Sequence, residues 1–153
     1  MTAATYRFLD AVADSFNPLL AIVALALPFV RHPRALRSTI AYYLSAGAAI
    51  GVVYLIRAID SRYQIWAAQG LDYSTHSAFA ASLVTSMGAF RRRWLAPLVL
   101  AAVLYFSLEL VMRYHGVLDI LTSASPAVTT ALLFHLALAR VAQPRVAPSG
   151  SVG

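Results

Sequence analysis

Long stretches almost free of charge constrain what this chain can fold into. The run from Thr39 to Ile56 has no charged side chain, and the run from Trp94 to Met112 has only Glu109. A third run, from Gly116 to Ala139, has a single acid, Asp119. Each run, formed as a helix, is long enough to cross the ~30 Å hydrocarbon core of a bilayer. The sequence therefore predicts an integral membrane protein.

Composition excludes the main alternatives. Of the 153 residues, 60% are hydrophobic and 12% are charged, whereas about a quarter of the residues of a soluble domain are charged. A soluble globule this small has too little interior to bury so much apolar surface. The absence of cysteine excludes disulfides, thiolate metal sites and cysteine nucleophiles. The net charge of +6 comes from arginines clustered between apolar runs, which indicates membrane topology and no nucleic-acid partner.

Two further segments are counted as spans. Ala11 to Val30 is apolar but contains two prolines, and the shorter segment from Thr75 to Phe90 is rich in Ala, Ser and Thr. With them we expect an all-α bundle of about five transmembrane helices, formed by a single domain over residues 1–142. Residues 143–153 are rich in Pro, Gly and Ser, which predicts a disordered cytoplasmic tail.

Arginines distribute unevenly between the two sides of such a bundle. One side receives eight arginines and no acid: Arg31, Arg34, Arg37, Arg91, Arg92, Arg93, Arg140 and Arg145. The other side receives four arginines and four acids: Arg7, Arg57, Arg62, Arg113, Asp10, Asp14, Asp60 and Asp72. The positive-inside rule makes the first side cytoplasmic. We therefore expect a multi-pass protein of the cell (inner) membrane whose loop at residues 57–74 and turn near Arg113 face outward.

Ionisable side chains inside the predicted spans indicate function, because each costs about 2.5 to 3.5 kcal/mol to insert. His76, Glu109, His115 and Asp119 all fall toward the outer surface and are expected to meet there. On a helix, His115 and Asp119 would stack one turn apart. The carboxylate would then fix the tautomer of the imidazole, which makes the imidazole a nucleophile or a base.

His76 enters this region from another helix. It follows Tyr73, Ser74 and Thr75 at a predicted helix start, where unpaired N–H groups favour anions. Two histidines, an acid and a helix start suit a phosphate that is attacked, protonated and held electrostatically. Three arginines border the same layer as candidate phosphate ligands: Arg57, Arg62 and Arg113.

Two segments carry a family resemblance. Tyr73 to Ala78 (YSTHSA) and His115 to Asp119 (HGVLD) resemble the second and third signature motifs of the type 2 phosphatidic acid phosphatase superfamily. That superfamily includes lipid phosphatases and, more remotely, sphingomyelin synthase-like phosphotransferases. The resemblance implies that His115 is a nucleophile forming a phosphohistidine, Asp119 its orienting partner and His76 the acid for the leaving group. It further implies that Ser74 binds phosphate and that no metal or other cofactor is needed.

The chain departs from the family pattern at several positions. Tyr73 and Thr75 replace a Pro and a Gly, and Glu109 stands where the family has an Arg six residues before the nucleophile. The first motif is not recognisable, and Arg57 and Arg62 occupy the corresponding stretch. Arg113 lies four residues after Glu109, so an ion pair between them is an alternative to phosphate binding by Arg113.

The sequence thus predicts a membrane lipid phosphatase that hydrolyses a phosphomonoester or diphosphate of a phospholipid or isoprenoid lipid at the outer leaflet. One alternative is a lipid phosphotransferase that uses the same His115, His76 and Asp119. Another is a non-enzymatic membrane protein that binds a metal or haem through these residues, and a third is a catalytically inactive scaffold. The expected partners are the lipid phosphate substrate and the bilayer, while the oligomeric state is left open.

Overall fold

A computed structural model describes residues 2–30 and 36–142 of the chain. These residues form five α-helices and no strand: α1 Ala3–Ala26, α2 Leu36–Tyr63, α3 Thr75–Phe90, α4 Leu95–Val111 and α5 Val117–Ala142. Short 3-10 turns lie at Leu27–Phe29, Ala67–Gln69 and Arg92–Trp94. The expected all-α membrane bundle is confirmed. The predicted disordered tail and part of the first arginine cluster lie outside the described residues.

Four helical segments are long and apolar enough to cross a membrane. They are Ala3–Phe29, Leu36–Tyr63, Arg92–Val111 and Val117–Arg140. Only 22% to 33% of the most apolar window of each segment is buried inside the chain. Most of the apolar surface therefore faces outward, as expected for helices whose solvent is lipid.

The third helix differs from the other four. With 16 residues, α3 is about 24 Å long, and it falls short of the length of the four candidate spans. It packs against α1, α2, α4 and α5, and most of its residues are buried. Its many Ala and Ser side chains are small, so the surrounding helices approach its backbone closely. The predicted span from Thr75 to Phe90 is thus a short central helix enclosed by longer helices.

Successive helices run in opposite directions, so the chain reversals fall at two ends of the bundle. The start of α1, residues 64–74 and residues 112–116 share one end, which we call the histidine end. Tyr114 donates a hydrogen bond to Asp10 across it. At the opposite end, Arg91 Nη2 donates to the carbonyl of Pro28 at 3.4 Å. His76 and His115 both lie at the histidine end, where the sequence predicts that they meet.

The loop at residues 64–74 is held to its neighbouring helices. Trp66 N donates to Asp60 Oδ1 at 2.9 Å, and Trp66 Nε1 donates to Thr122 Oγ1 of α5 at 3.0 Å. The 3-10 turn then ends at Gly70, whose φ of 71° is in the left-handed region that glycine adopts without strain. These contacts bring the end of the loop, including Asp72, against the start of α5.

Candidate active site

Ser74 begins the central helix. Its side chain caps α3 by accepting a hydrogen bond from Ser77 N at 3.2 Å, which satisfies a backbone donor that the first turn leaves free. Its own N–H donates to Ser123 Oγ of α5 at 2.9 Å. The residue is fully buried, and its hydroxyl donates to Ser77 Oγ at 2.9 Å. The structure therefore places Ser74 as a helix cap, and the phosphate-binding role stays a prediction.

A buried carboxylate lies next to this cap. Glu109, near the end of α4, is 2% exposed and accepts a hydrogen bond from Ser77 Oγ. Burial of a carboxylate requires such compensation, because an isolated charge is strongly unfavourable away from water. The interaction joins α4 to α3, so the alternative that Glu109 pairs with Arg113 is not what the structure shows. Arg113 is exposed in the following turn, with a φ of 58°.

The two histidines line one cleft. This cleft, which we call the polar cleft, has a volume of about 310 Å³ and lies between α1, α3, α4 and the turn at residues 112–116. His76 comes from the first turn of α3, and His115 comes from the turn before α5. The remaining lining is Asp10, Ala13, Asp14, Tyr105, Glu109 and Tyr114. The imidazoles are thus brought together with three carboxylates and two phenols.

An acid that the sequence did not suggest lies beside His115. Its Nδ1 lies 3.4 Å from Asp72 Oδ2, and its side chain is 14% exposed. The expected pairing of His115 with Asp119 is not among the ion pairs of the described residues. The reason is that α5 begins only at Val117, so His115 precedes the helix and the four-residue spacing does not stack the two side chains.

Asp119 instead binds backbone. Its Oδ2 accepts from Gly116 N at 2.7 Å, and its Oδ1 accepts from Asp72 N at 2.8 Å. An acid in the third position of a helix commonly reaches back in this way to the first free N–H group. The second bond fixes the backbone of Asp72. Asp119 thus binds the backbone of the residue whose carboxylate lies beside the imidazole.

Tyr114 closes the polar cleft on one side. The hydrogen bond from its hydroxyl to Asp10, and to a smaller extent burial, raise the pKa of Tyr114 above its ordinary value. The phenol therefore stays protonated at neutral pH and ties the turn to α1. This tie holds His115, the next residue, at the edge of the cleft.

The three predicted phosphate-binding arginines do not line the polar cleft. Arg57 is exposed and lies 3.9 Å from Asp60 within the same helix. Arg62 and Arg113 are also exposed, and neither is among the lining residues. Their predicted role has no contact in the described part of the chain that supports it.

A second cleft adjoins the first. This middle cleft has a volume of about 320 Å³ and shares Asp14 and His76 with the polar cleft. Its lining also includes Asn17, Pro18, Ala21, Tyr54, Thr75 and Phe79. The side chain of Asn17 fixes the wall by donating to the carbonyl of His76 at 3.2 Å. His76 thus lies where the two clefts meet and lines both of them.

Metal binding finds no support in the geometry. Within residues 2–30 and 36–142, no group of three or more His, Asp or Glu side chains is arranged to hold a metal ion. The metal alternative for His76, His115 and Asp119 would need all three at one point, but the carboxylate of Asp119 is engaged by backbone N–H groups.

Sequence reasoning missed three acids around the histidines. Asp10 and Asp14 were assigned only to the topology count, and Asp72 only to the outer loop. A signal for Asp14 was present, since an acid beside Asn17 and Pro18 within an apolar run is expensive in lipid without a reason. The sequence carried no such signal for Asp72, because its contact with His115 depends on how the loop folds back onto α5.

No family model, curated protein or solved structure matches the chain.

Proposed function

We propose that this protein is a metal-independent membrane enzyme that cleaves the phosphate ester of a lipid, with His115 as nucleophile and His76 as general acid. One observation carries the proposal: two imidazoles from distant parts of the sequence line a single cleft at the end of a membrane bundle. The two motifs that resemble the type 2 phosphatidic acid phosphatase superfamily supply these same two histidines.

The contact between His115 and Asp72 suggests how the nucleophile works. A carboxylate beside Nδ1 favours the tautomer with its proton on that nitrogen, which leaves the lone pair on Nε2. Nε2 then attacks phosphorus, and the bond from phosphorus to the leaving oxygen breaks as His76 protonates that oxygen. Water next loses a proton to His76 and attacks the phosphohistidine, which releases phosphate and restores both imidazoles.

A second candidate function rests on the charge of the polar cleft. Asp10, Asp14 and Glu109 line it, and the lining contains no arginine. Three carboxylates would repel a doubly negative phosphomonoester but attract a headgroup that carries an ammonium. This favours a phosphotransferase, in which a zwitterionic phosphodiester lipid passes its phosphoalcohol group through His115 to an acceptor hydroxyl.

The proposed orientation places the histidine end on the extracytoplasmic face and the C-terminus in the cytoplasm. Arg92, Arg93 and Arg140 lie at the opposite end of the bundle, in agreement with the positive-inside rule. We expect Ser61→Cys to be labelled by an impermeant maleimide in intact cells and Gly150→Cys to be labelled only after lysis. The reverse pattern would put the cleft in the cytoplasm.

Turnover by the purified protein in proteoliposomes tests the reaction. The panel contains phosphatidic acid, phosphatidylglycerol phosphate and a polyprenyl diphosphate, read out by phosphate release, and phosphatidylcholine with diacylglycerol, read out by headgroup transfer. Activity on the first group supports the phosphatase, and activity on the second supports the transferase. Either activity should survive EDTA, and a loss that is restored by metal would contradict the histidine mechanism.

Variants assign the chemistry to residues. His115→Ala should abolish both turnover and the acid-labile phosphoenzyme, whereas His76→Ala should still form the phosphoenzyme from a substrate with a good leaving group, which needs little protonation. His135→Ala is the matched control, because His135 lies about 27 Å along α5 from its first residue. Near-normal turnover by a folded His115→Ala protein would show that the nucleophile is elsewhere.

A further inference from the structure

A third cleft continues the series that begins at the histidines. This apolar cleft has a volume of about 210 Å³ and shares Ala21 and Phe79 with the middle cleft. The rest of its lining is almost wholly apolar and comes from α1, α2 and α3: Ala24, Leu25, Tyr42, Tyr43, Ala46, Gly47, Ile50 and Leu83. The middle and apolar clefts therefore form one groove between α1 and α2, with α3 behind it.

Two hydrogen bonds lie where this groove ends on the side away from the histidines. Tyr42 donates to the carbonyl of Ala24 at 2.9 Å, and Tyr43 donates to the carbonyl of Leu25 at 2.5 Å. Both bonds tie α2 to α1, so the two helices are joined at the level where the groove ends. From these bonds toward the histidine end, the groove separates α1 from α2 as far as the level of His76.

The length of the groove matches half a bilayer. It runs from His76 to Leu83 on α3 and from Asp14 to Leu25 on α1, which correspond to roughly 10 Å and 16 Å of helix. The hydrocarbon core of a bilayer is ~30 Å thick, so one leaflet contributes about 15 Å. A groove of this length that starts at the histidine end has room for a hydrocarbon chain of a lipid from the leaflet at that end.

We propose that this groove holds one hydrocarbon chain of a lipid from the leaflet at the histidine end, with its headgroup in the polar cleft. The polarity gradient supports this occupant, since the groove changes from Asp14, Asn17 and His76 to aliphatic and aromatic walls along the direction in which a lipid does. The inference rests on the proposed function for the headgroup and names the part of the substrate that the enzyme would recognise. A long apolar chain, and not a soluble phosphate ester, would then be the specificity element.

Two glycines of α2 provide a matched pair of variants. A β-carbon at Gly47 or at Gly51 would meet no atom within 4 Å, so a side chain can begin at either position without a clash at its first carbon. Gly47 lines the groove, whereas Gly51, one turn further along the helix, does not. Gly47→Leu should fill the groove, and Gly51→Leu adds the same side chain at a position that is not among the lining residues.

The test is photo-crosslinking with a phosphatidic acid that carries a diazirine in the middle of one acyl chain, followed by mass spectrometry of the full-length protein in vesicles. Labels are expected on groove residues such as Ala21, Phe79 and Leu83, and Gly47→Leu should reduce them at least about tenfold. Gly51→Leu should label like the parent protein. Labelling spread evenly over outward residues such as Leu55 and Leu133, and unchanged by Gly47→Leu, would overturn the inference.

Two further outcomes separate this inference from the proposed function. Groove labelling that depends on Gly47, in a protein without turnover of any lipid in the panel, would keep the chain site and refute the enzyme. Turnover without groove labelling would keep the enzyme and refute the chain site. Loss of labelling as the density of protein in the vesicles rises would assign the groove to a second copy of this chain and overturn the lipid occupant.

Discussion

His115 Nδ1 lies 3.4 Å from Asp72 Oδ2, while the backbone N–H of Asp72 is bound by Asp119 Oδ1 at 2.8 Å. The carboxylate that contacts the imidazole and the carboxylate that positions it thus belong to different residues. Because Asp72 is 67% exposed, its contact with His115 contributes at most about 1 kcal/mol to stability. The consequence that we propose for it is the orientation of the ring.

Asp72→Asn should change the tautomer of His115 without loosening the fold. The amide no longer attracts the Nδ1 proton, so two-bond 1H–15N spectra of histidine-labelled protein at alkaline pH should show a shift toward the Nε2–H form. The melting temperature in detergent should stay unchanged, and kcat should fall roughly 100-fold with little change in KM. Asp72→Glu, which restores a carboxylate, should recover part of kcat.

Asp119→Asn should lower the melting temperature, which Asp72→Asn should leave unchanged. The amide can accept only one of the two backbone N–H groups that Asp119 now binds, so the start of α5 loses a cap worth about 1 kcal/mol. A lower melting temperature, accompanied by a partial change in the His115 spectrum, is the expected result. An unchanged melting temperature together with a complete change of tautomer would return the orienting role to Asp119.

Glu109→Leu should destabilise the bundle. The substitution removes the acceptor of the buried Ser77 hydroxyl, and a buried donor left unsatisfied costs about 1–3 kcal/mol. Glu109→Gln, which keeps an acceptor oxygen, should cost less than half of that. Unfolding by denaturant in mixed micelles measures both, with the exposed Ser107→Ala as the control. Equal losses of unfolding free energy in Glu109→Leu and Glu109→Gln would show that the site requires the charge of Glu109 and not its hydrogen bond.

Stability should fall at alkaline pH through Tyr73. Burial, assisted by the nearby charge of Asp60 and opposed by Arg57, raises the pKa of Tyr73 from 10.0 to about 12. Between these values the unfolded chain has released the proton and the folded chain has kept it, so the free energy of unfolding decreases as pH rises from about 10 to about 12. Tyr73→Phe should make this part of the pH profile less steep without abolishing its slope, because the pKa of Tyr114 is also raised, and the exposed Tyr63→Phe should leave the profile unchanged.

Gly88→Ala and Gly51→Ala should have effects of opposite sign. A β-carbon at Gly88 would lie 2.5 Å from Leu95 Cδ1 and 3.3 Å from Leu95 Cβ, whereas one at Gly51 meets no atom within 4 Å. We expect Gly88→Ala to lower the free energy of unfolding by about 1–3 kcal/mol and Gly51→Ala to raise it by up to about 1 kcal/mol. Adding Leu95→Ala should relieve the loss at Gly88, and a loss that persists would place the strain in the backbone.

Sequence by itself determined the class of fold and the end of the bundle at which the histidines meet. Uncharged runs long enough to cross a bilayer as helices satisfy their own backbone groups, which is required because lipid offers no partners to free backbone groups. The alternation of such helices then assigns His76 and His115 to one end. The start of α3 was also readable, since Ser74 at that position caps the first turn.

The contacts of the site depended on tertiary structure. A helical repeat predicts which side chains share a face, but it does not predict that α5 begins at Val117, two residues after His115. Because of that boundary, the carboxylate of Asp119 accepts hydrogen bonds from backbone N–H groups. The fold of residues 64–74 onto α5 brings Asp72 close to the imidazole of His115. Burial of Glu109 against Ser77 was decided in the same way, because only the packing of α4 on α3 removes that carboxylate from lipid and supplies its donor.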